Sequence, residues 1–141
     1  AGRPSLSTAV RMSTICRSIT DAADRDNPNV VKVVTDRHGN ALYFSRSAVP
    51  FVRQPALPSS PFPLFPALKH IGLYGYRRSF LLHFARLAQT PLEIAESLEQ
   101  LRALEHGFRI RTVRTEYDSI GVDTPEDLEH VRRQFAMAMR A

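Results

Sequence analysis

Cysteine occurs once in the 141 residues, as Cys16, and no apolar run is longer than a few residues. A lone thiol excludes an intrachain disulfide and gives a metal cluster no companion, which favours a reducing, cytoplasmic setting. The short apolar runs leave no candidate membrane-spanning helix, and the N-terminus lacks the basic-then-apolar layout of a secretory signal. An initiator methionine is missing too. The sequence opens on Ala1, a start that reads as processed, trimmed or artificially chosen. RNA-binding aromatic motifs and recognition-helix patterns are absent. The net charge of +5, carried by arginines interleaved with acids, therefore fits a pocket for anionic small molecules as well as it fits a nucleic-acid surface.

What is present suffices for one modest soluble domain with a real core. Ala1 to Val10 has no usable period, and residues 1–11 read as a frayed lead-in that once followed more protein. Met12 to Ile19 alternates loosely as a strand. Asp21 to Asn29 reads as a turn region, because Pro28 disfavours helix at Asn27. Val30–Val34 and Ala41–Ser45 form a predicted hairpin whose turn has Gly39 available for a positive φ. Lys32 interrupts the valines, and as an edge-strand charge it would discourage aggregation.

Most of the ten prolines fall between Pro50 and Pro66. Such density rules out helix and central strand, leaving an extended surface loop that serves as a flap or packs on a partner subunit. Arg78 to Ala88 has Phe80, Leu81, Phe84 and Leu87 at helical spacing. Next, Thr90, Pro91 and Glu93 form a capping box that opens a helix ended by Gly107. On it Leu92, Ala95, Leu98 and Ala103 share an apolar face, with Glu99 in its middle. Phe108 to Thr115 reads as a strand with Arg109 and Arg111 on one face, and Glu116 to Ile120 as a turn. Thr124 and Asp127 box the start of a last helix with a Leu128, Val131 and Phe135 core stripe, and residues 136–141 are a tail.

Several polar residues stand out against this frame. In Lys69–Tyr76, KHIGLYGY, alternation puts His70, Gly72, Tyr74 and Tyr76 on one face of a strand, an imidazole and two phenols across a gap left by glycine. A core strand with a satisfied histidine explains the same residues. Arg46 at the end of its strand either floats in solvent or offers a planar fork to a carboxylate. Glu99 either pairs with Arg102 one turn on, or accepts hydrogen bonds from a ligand. Asp123 precedes the Thr124 cap, where a carboxylate either stabilises the helix N-terminus or points into a cleft.

In chain order, NPNVVKVVTDRHGNALYFSR, KHIGLYGYRRSF, TPLEIAESLEQLRALEHGFRI and GVDTPEDLEHVRR resemble the C-terminal half of the 3-deoxy-manno-octulosonate cytidylyltransferases, or CMP-Kdo synthetases. The resemblance runs from Met12 to Gln134. The glycine-arginine-lysine signature with which that family grips CTP has no match here, nor does its aspartate-bearing metal segment.

The resemblance implies an α/β fold: the C-terminal part of a nucleotide-diphospho-sugar transferase-like three-layer sandwich, with a mixed sheet and flanking helices. Residues 12–135 would be its sugar-binding and dimerisation half, with the proline loop at 50–66. It implies attack of the Kdo anomeric hydroxyl on the α-phosphorus of CTP, releasing pyrophosphate and forming CMP-Kdo for lipopolysaccharide. It assigns Arg46 to the sugar carboxylate, His70, Tyr74, Glu99 and Gln100 to sugar hydroxyls, and Asp123 to catalytic Mg2+. CTP and Kdo would be the partners of a cytoplasmic homodimer with no nucleic acid or membrane, and the chain alone would be inactive. Two other classes stand beside this reading, a non-catalytic dimerisation module and a basic nucleic-acid binder. A cytidylyltransferase for another acidic sugar is the nearer enzymatic rival.

Overall fold

The computed structural model describes residues 10–53, 67–117, 122 and 124–139. In chain order the elements are β1 (Met12–Ser18), α1 (Ala22–Asp26), β2 (Lys32–Thr35), β3 (Ala41–Ser45), β4 (Leu68–Tyr76), α2 (Arg78–Phe84), α3 (Pro91–Glu96), α4 (Gln100–Glu105), β5 (Ile110–Arg114) and α5 (Pro125–Ala138). The fold is α/β, a mixed five-stranded sheet in the order β3-β2-β4-β1-β5 with flanking helices. Only β1 and β5 pair in parallel; β1 with β4, β4 with β2 and β2 with β3 are antiparallel.

β1 shows the period of a strand with one covered face, since Met12, Thr14 and Cys16 are buried in alternation. Its inward residues join Val33, Phe44, Leu68, Leu101 and Ile110 in the core. Phe80 and Phe84, one turn apart on α2, bring two rings into that core, each contributing about 2 kcal/mol by burial. Leu81 is exposed, so α2 covers the sheet with a phenylalanine pair rather than the wider stripe its sequence suggests.

In the hairpin of β2 and β3, β2 pairs with β4 through Lys32 and Val33, and the turn reaches β5. Asp36 organises the turn by accepting from the N–H groups of His38 and Asn40 at 2.8 Å each. Gly39 takes φ 78°, the positive dihedral expected of it, and its carbonyl accepts from Thr112 N at 2.8 Å.

Five expectations need correction. Lys32 is not on an edge: β2 lies between β3 and β4, and the side chain is fully buried. Its ammonium donates to the carbonyls of Asn27 (2.9 Å), Val30 (2.6 Å) and Arg46 (2.5 Å), and the charges of Asp26, Glu96 and Asp24 favour it, which is how a buried charge is tolerated. The stretch 21–29 contains a short helix, α1, because Asp21 caps it by accepting from Ala23 N.

The single helix expected from Thr90 to Gly107 is two, broken where Ser97 adopts left-handed backbone, φ 53° and ψ 49°. Leu98 and Ala103 stay buried, whereas Leu92 and Ala95 turn outward. The last helix forms with its Thr124–Asp127 box, but Phe135 is 67% exposed and Leu128 also faces solvent, so the expected core stripe is uncovered. It also runs on to Ala138, through the start of the expected tail. Residues 1–9 of the lead-in, most of the proline loop (54–66), the end of the 116–120 turn and Asp123 lie outside the described residues. No helix among the described residues is long and apolar enough to cross a membrane.

Candidate functional site

β4 carries the site, and an irregularity shapes it. Ile15 pairs with Ile71 but Thr14 pairs with Tyr74, so Gly72 and Leu73 bulge out of the ladder and are exposed. The simple alternation through His70, Gly72 and Tyr74 therefore breaks, and glycine leaves no gap between the rings. The His70 and Tyr74 rings are in contact, centroids 5.4 Å apart, and a Cβ on Gly72 would meet nothing within 4 Å. Gly75 is the more crowded glycine, since a Cβ there would lie 2.8 Å from Ser13 Oγ and the serine would have to turn away.

An aromatic run follows β4. Phe44 packs edge-on against His70 at 5.0 Å, Tyr74 stands 5.9 Å from Tyr76, and Tyr76 leads to Phe84 at 6.2 Å. Burial lowers the His70 pKa to about 4, so its imidazole is neutral near pH 7. Burial raises Tyr74 well above the usual phenol range, with smaller contributions from Tyr76 and Glu99, and it raises Tyr76 with help from Glu99. The face thus presents neutral hydrogen-bonding groups on an apolar wall, a surface suited to hydroxyls.

A second group of polar residues gathers at the break between α3 and α4. Glu93 and Arg102 form a bidentate pair at 2.8 and 2.5 Å, and the Arg102 guanidinium lies 5.3 Å over the Phe84 ring. Arg102 therefore belongs to Glu93, which its fork holds below the usual carboxylate range. Its approach to Glu99 is only 3.9 Å, and the Glu99 side chain is 70% exposed. Glu99 does not sit on an apolar helix face, because Ser97 turns the chain and leaves it at the start of α4. From there it lines an open groove of about 440 Å3 with Ile94, Ser97 and Leu98, and its charge reaches Tyr74 and Tyr76. Gln100, next in the chain, is buried.

Arg46 leaves β3 against the same break. Its Nε donates to Glu96 O at 2.8 Å, Nη1 to Pro28 O at 3.1 Å and Nη2 to Ser97 O at 3.4 Å. A guanidinium has five N–H donors, so among the described residues two are left for an anion. Glu96 completes the frame: its carboxylate accepts from Ser45 Oγ at 2.7 Å, Arg46 N at 2.9 Å and Tyr43 Oη at 3.3 Å. Burial alone would raise its pKa, yet these hydrogen bonds keep it below the usual range.

The structure thus gathers Arg46, Glu99 and Gln100 at the α3–α4 break and joins His70 and Tyr74 on β4, with Phe44 linking β3 to the imidazole. Asp123 lies outside the described residues. Among those that are described, no group of three His, Cys, Asp or Glu side chains is placed to hold a metal. Just after Asp123 in the chain, the α5 start is capped as expected, Thr124 N and Asp127 N bonding the Asp127 and Thr124 side chains at 3.0 and 3.1 Å.

Three contributors escaped the sequence reading: Thr14, Lys32 and Glu96. Lys32 gave a signal, a lysine among valines, that reads equally as an edge charge. Thr14 and Glu96 gave none, since their partners are 50 or more residues away.

Residues 5–112 match a protein-family model described as cytidylyltransferase. The chain is 58% identical over 127 residues to 3-deoxy-manno-octulosonate cytidylyltransferase of Geobacter metallireducens, covering 87% of this chain and 50% of that protein. It is 54% identical over 126 residues to the enzyme of the same name from Solibacter usitatus, covering 89% and 48%. Among solved structures it resembles CMP:2-keto-3-deoxy-manno-octonic acid synthetase complexed with CTP, with TM-score 0.79 and 41% identity over 92% of this chain and 51% of that one. The chain spans about half the length of the curated relatives it matches.

Proposed function

The chain belongs to the cytidylyltransferase family, and from that premise we propose that it is the sugar-binding half of an enzyme that makes CMP-Kdo from CTP and 3-deoxy-manno-octulosonate. The observation that carries this reading is the similarity to enzymes of that name over nearly all of this chain. The arrangement around β4 and the α3–α4 break supports it. Among the described residues the Arg46 guanidinium bonds carbonyl oxygens, which leaves N–H donors for a sugar acid.

In the proposed reaction the anomeric oxygen forms a bond to the α-phosphorus, the bond from that phosphorus to the bridging oxygen breaks, pyrophosphate leaves and the hydroxyl proton passes to solvent. The residues of this chain bind and orient. Arg46 takes the sugar carboxylate, while the neutral His70 imidazole, the Tyr74 phenol and the Gln100 amide bond hydroxyls. Glu99 accepts from hydroxyls at the groove. Fixing the nucleophile in this way removes much of the entropic barrier of a two-substrate reaction. Asp123 would hold Mg2+, whose preference for oxygen ligands suits one carboxylate from this half, a second from the other half and the substrate phosphates. The metal would neutralise triphosphate charge and activate the attacking hydroxyl. We further infer a homodimer in the cytoplasm, where CTP is available and the buried Cys16 thiol stays reduced.

Pyrophosphate release by the complete enzyme, this chain together with its nucleotide-binding half, tests the reading. Release that requires both CTP and 3-deoxy-manno-octulosonate is expected. Faster turnover with another acidic sugar would overturn the substrate assignment.

A further inference from the structure

Thr14 Oγ1 has three polar neighbours inside the β1–β4 bulge: Leu73 O at 2.9 Å, Ile71 O at 3.3 Å and His70 Nε2 at 2.9 Å. Carbonyl oxygens only accept, and the hydroxyl has a single proton to give. That proton goes to a carbonyl, since otherwise two acceptors would face an oxygen with nothing to offer them. The hydroxyl then turns a lone pair toward Nε2. A contact of 2.9 Å is attractive only when Nε2 carries a proton, because lone pair against lone pair repels. Thr14 is 2% exposed, so water does not compete for the arrangement.

We propose that Thr14 is a positioning residue that locks His70 in its Nε2–H tautomer, so that the imidazole meets the sugar through Nδ1 as a hydrogen-bond acceptor and selects a hydroxyl that donates. The proposal rests on the reading of His70 as a sugar contact. The Phe44 and Tyr74 rings, at 5.0 and 5.4 Å, fix the plane of the imidazole, and Thr14 fixes which nitrogen faces the ligand. Burial keeps the ring neutral, so Nδ1 retains its lone pair. The bulge makes this possible: with Gly72 and Leu73 pushed out of register, the carbonyls of Ile71 and Leu73 converge on one hydroxyl.

Two-bond 1H–15N spectra of the complete enzyme, with His70 assigned by its loss in His70→Gln, read the tautomer with the site unaltered. A protonated Nε2 and an unprotonated Nδ1 are expected. The reverse pattern overturns the inference whether or not the protein binds sugar. Thr14→Ser keeps the hydroxyl and should keep both the tautomer and the sugar KM. Thr14→Val keeps the shape but not the hydroxyl, and should give mixed tautomers and a sugar KM raised about tenfold with the CTP KM unchanged. A valine variant with the wild-type tautomer and sugar KM also overturns the inference. A correct tautomer together with a sugar KM indifferent to His70→Gln would instead overturn the sugar-site reading and leave the lock standing.

Discussion

Arg46 and Glu96, 50 residues apart, are bonded twice, with Arg46 donating each time: its backbone N–H to the Glu96 carboxylate at 2.9 Å, and its Nε to the Glu96 carbonyl at 2.8 Å. The guanidinium is therefore held before any ligand arrives, and little side-chain entropy is left to lose on binding. Lys32 extends the frame, because its ammonium bonds the Arg46 carbonyl. The residue that would recognise the sugar acid is thus fixed by two others that need not touch it.

Arg46→Lys in the complete enzyme should raise the sugar KM by about tenfold or more while leaving the CTP KM nearly unchanged, because lysine keeps the charge but loses the planar fork. It should also lower stability by about 1–2 kcal/mol, since one ammonium cannot replace the bonds to Pro28, Glu96 and Ser97. Glu96→Ala should give a similar sugar defect by releasing Arg46. Steady-state kinetics and urea melts measure both, and equal effects on the two substrates would contradict the assignment.

Lys32→Met should destabilise the fold by about 2–4 kcal/mol even though methionine fills the space, because three inward carbonyls lose their donor. Denaturant midpoints at pH 7 measure this. A neutral substitution would show that water replaces the ammonium and that the buried charge is dispensable.

The strands, the hairpin and the capped helix starts were legible because local rules decide them. β1 alternates, Gly39 stands where a positive φ is needed, and Thr124 with Asp127 spells out a cap. The break at Ser97 was not, since periodicity runs smoothly from Leu92 to Ala103 and nothing local favours left-handed backbone at a serine. What accompanies it is long-range: Arg46 bonds the carbonyls of Glu96 and Ser97, and Arg102 reaches back to Glu93. The bulge in β4 escaped for the same reason, as it depends on how Thr14 packs across the sheet. The motifs fall where strands and helices end or break: Arg46 follows β3, His70 and Tyr74 lie on β4, and Glu99 precedes α4.

Acid should weaken the fold through His70. Its pKa is about 4 folded and near 6.5 when exposed, so between those values the unfolded chain binds more protons and stability falls as pH drops. The loss begins near pH 6.5 and is complete near pH 4, where it reaches about 3 kcal/mol. His70→Gln should flatten this part of the profile. Urea melts from pH 4 to 7 measure it, and an unchanged slope in the variant would assign the acid sensitivity to other groups.

The 141 residues alone should not form CMP-Kdo, and the reason is inventory. Transfer to the α-phosphorus requires a triphosphate held in line with its charge compensated, and no glycine-arginine-lysine loop for it occurs in this sequence. Asp123 by itself is a poor magnesium ligand, because the ion gains affinity from a second carboxylate and from substrate phosphates. Sugar binding should persist weakly, since the proposed sugar contacts Arg46, His70, Tyr74 and Glu99 all lie in this chain. Pyrophosphate release with CTP, 3-deoxy-manno-octulosonate and Mg2+ should be undetectable for the chain alone and appear when the nucleotide-binding half is joined to it. Asp123→Asn in the joined protein should then lower kcat by about a hundredfold or more with little change in the sugar KM, because the amide keeps the shape but loses the charge proposed to hold the metal. Turnover by the isolated chain would refute the inventory argument, and an active Asn variant would remove Asp123 from the metal site.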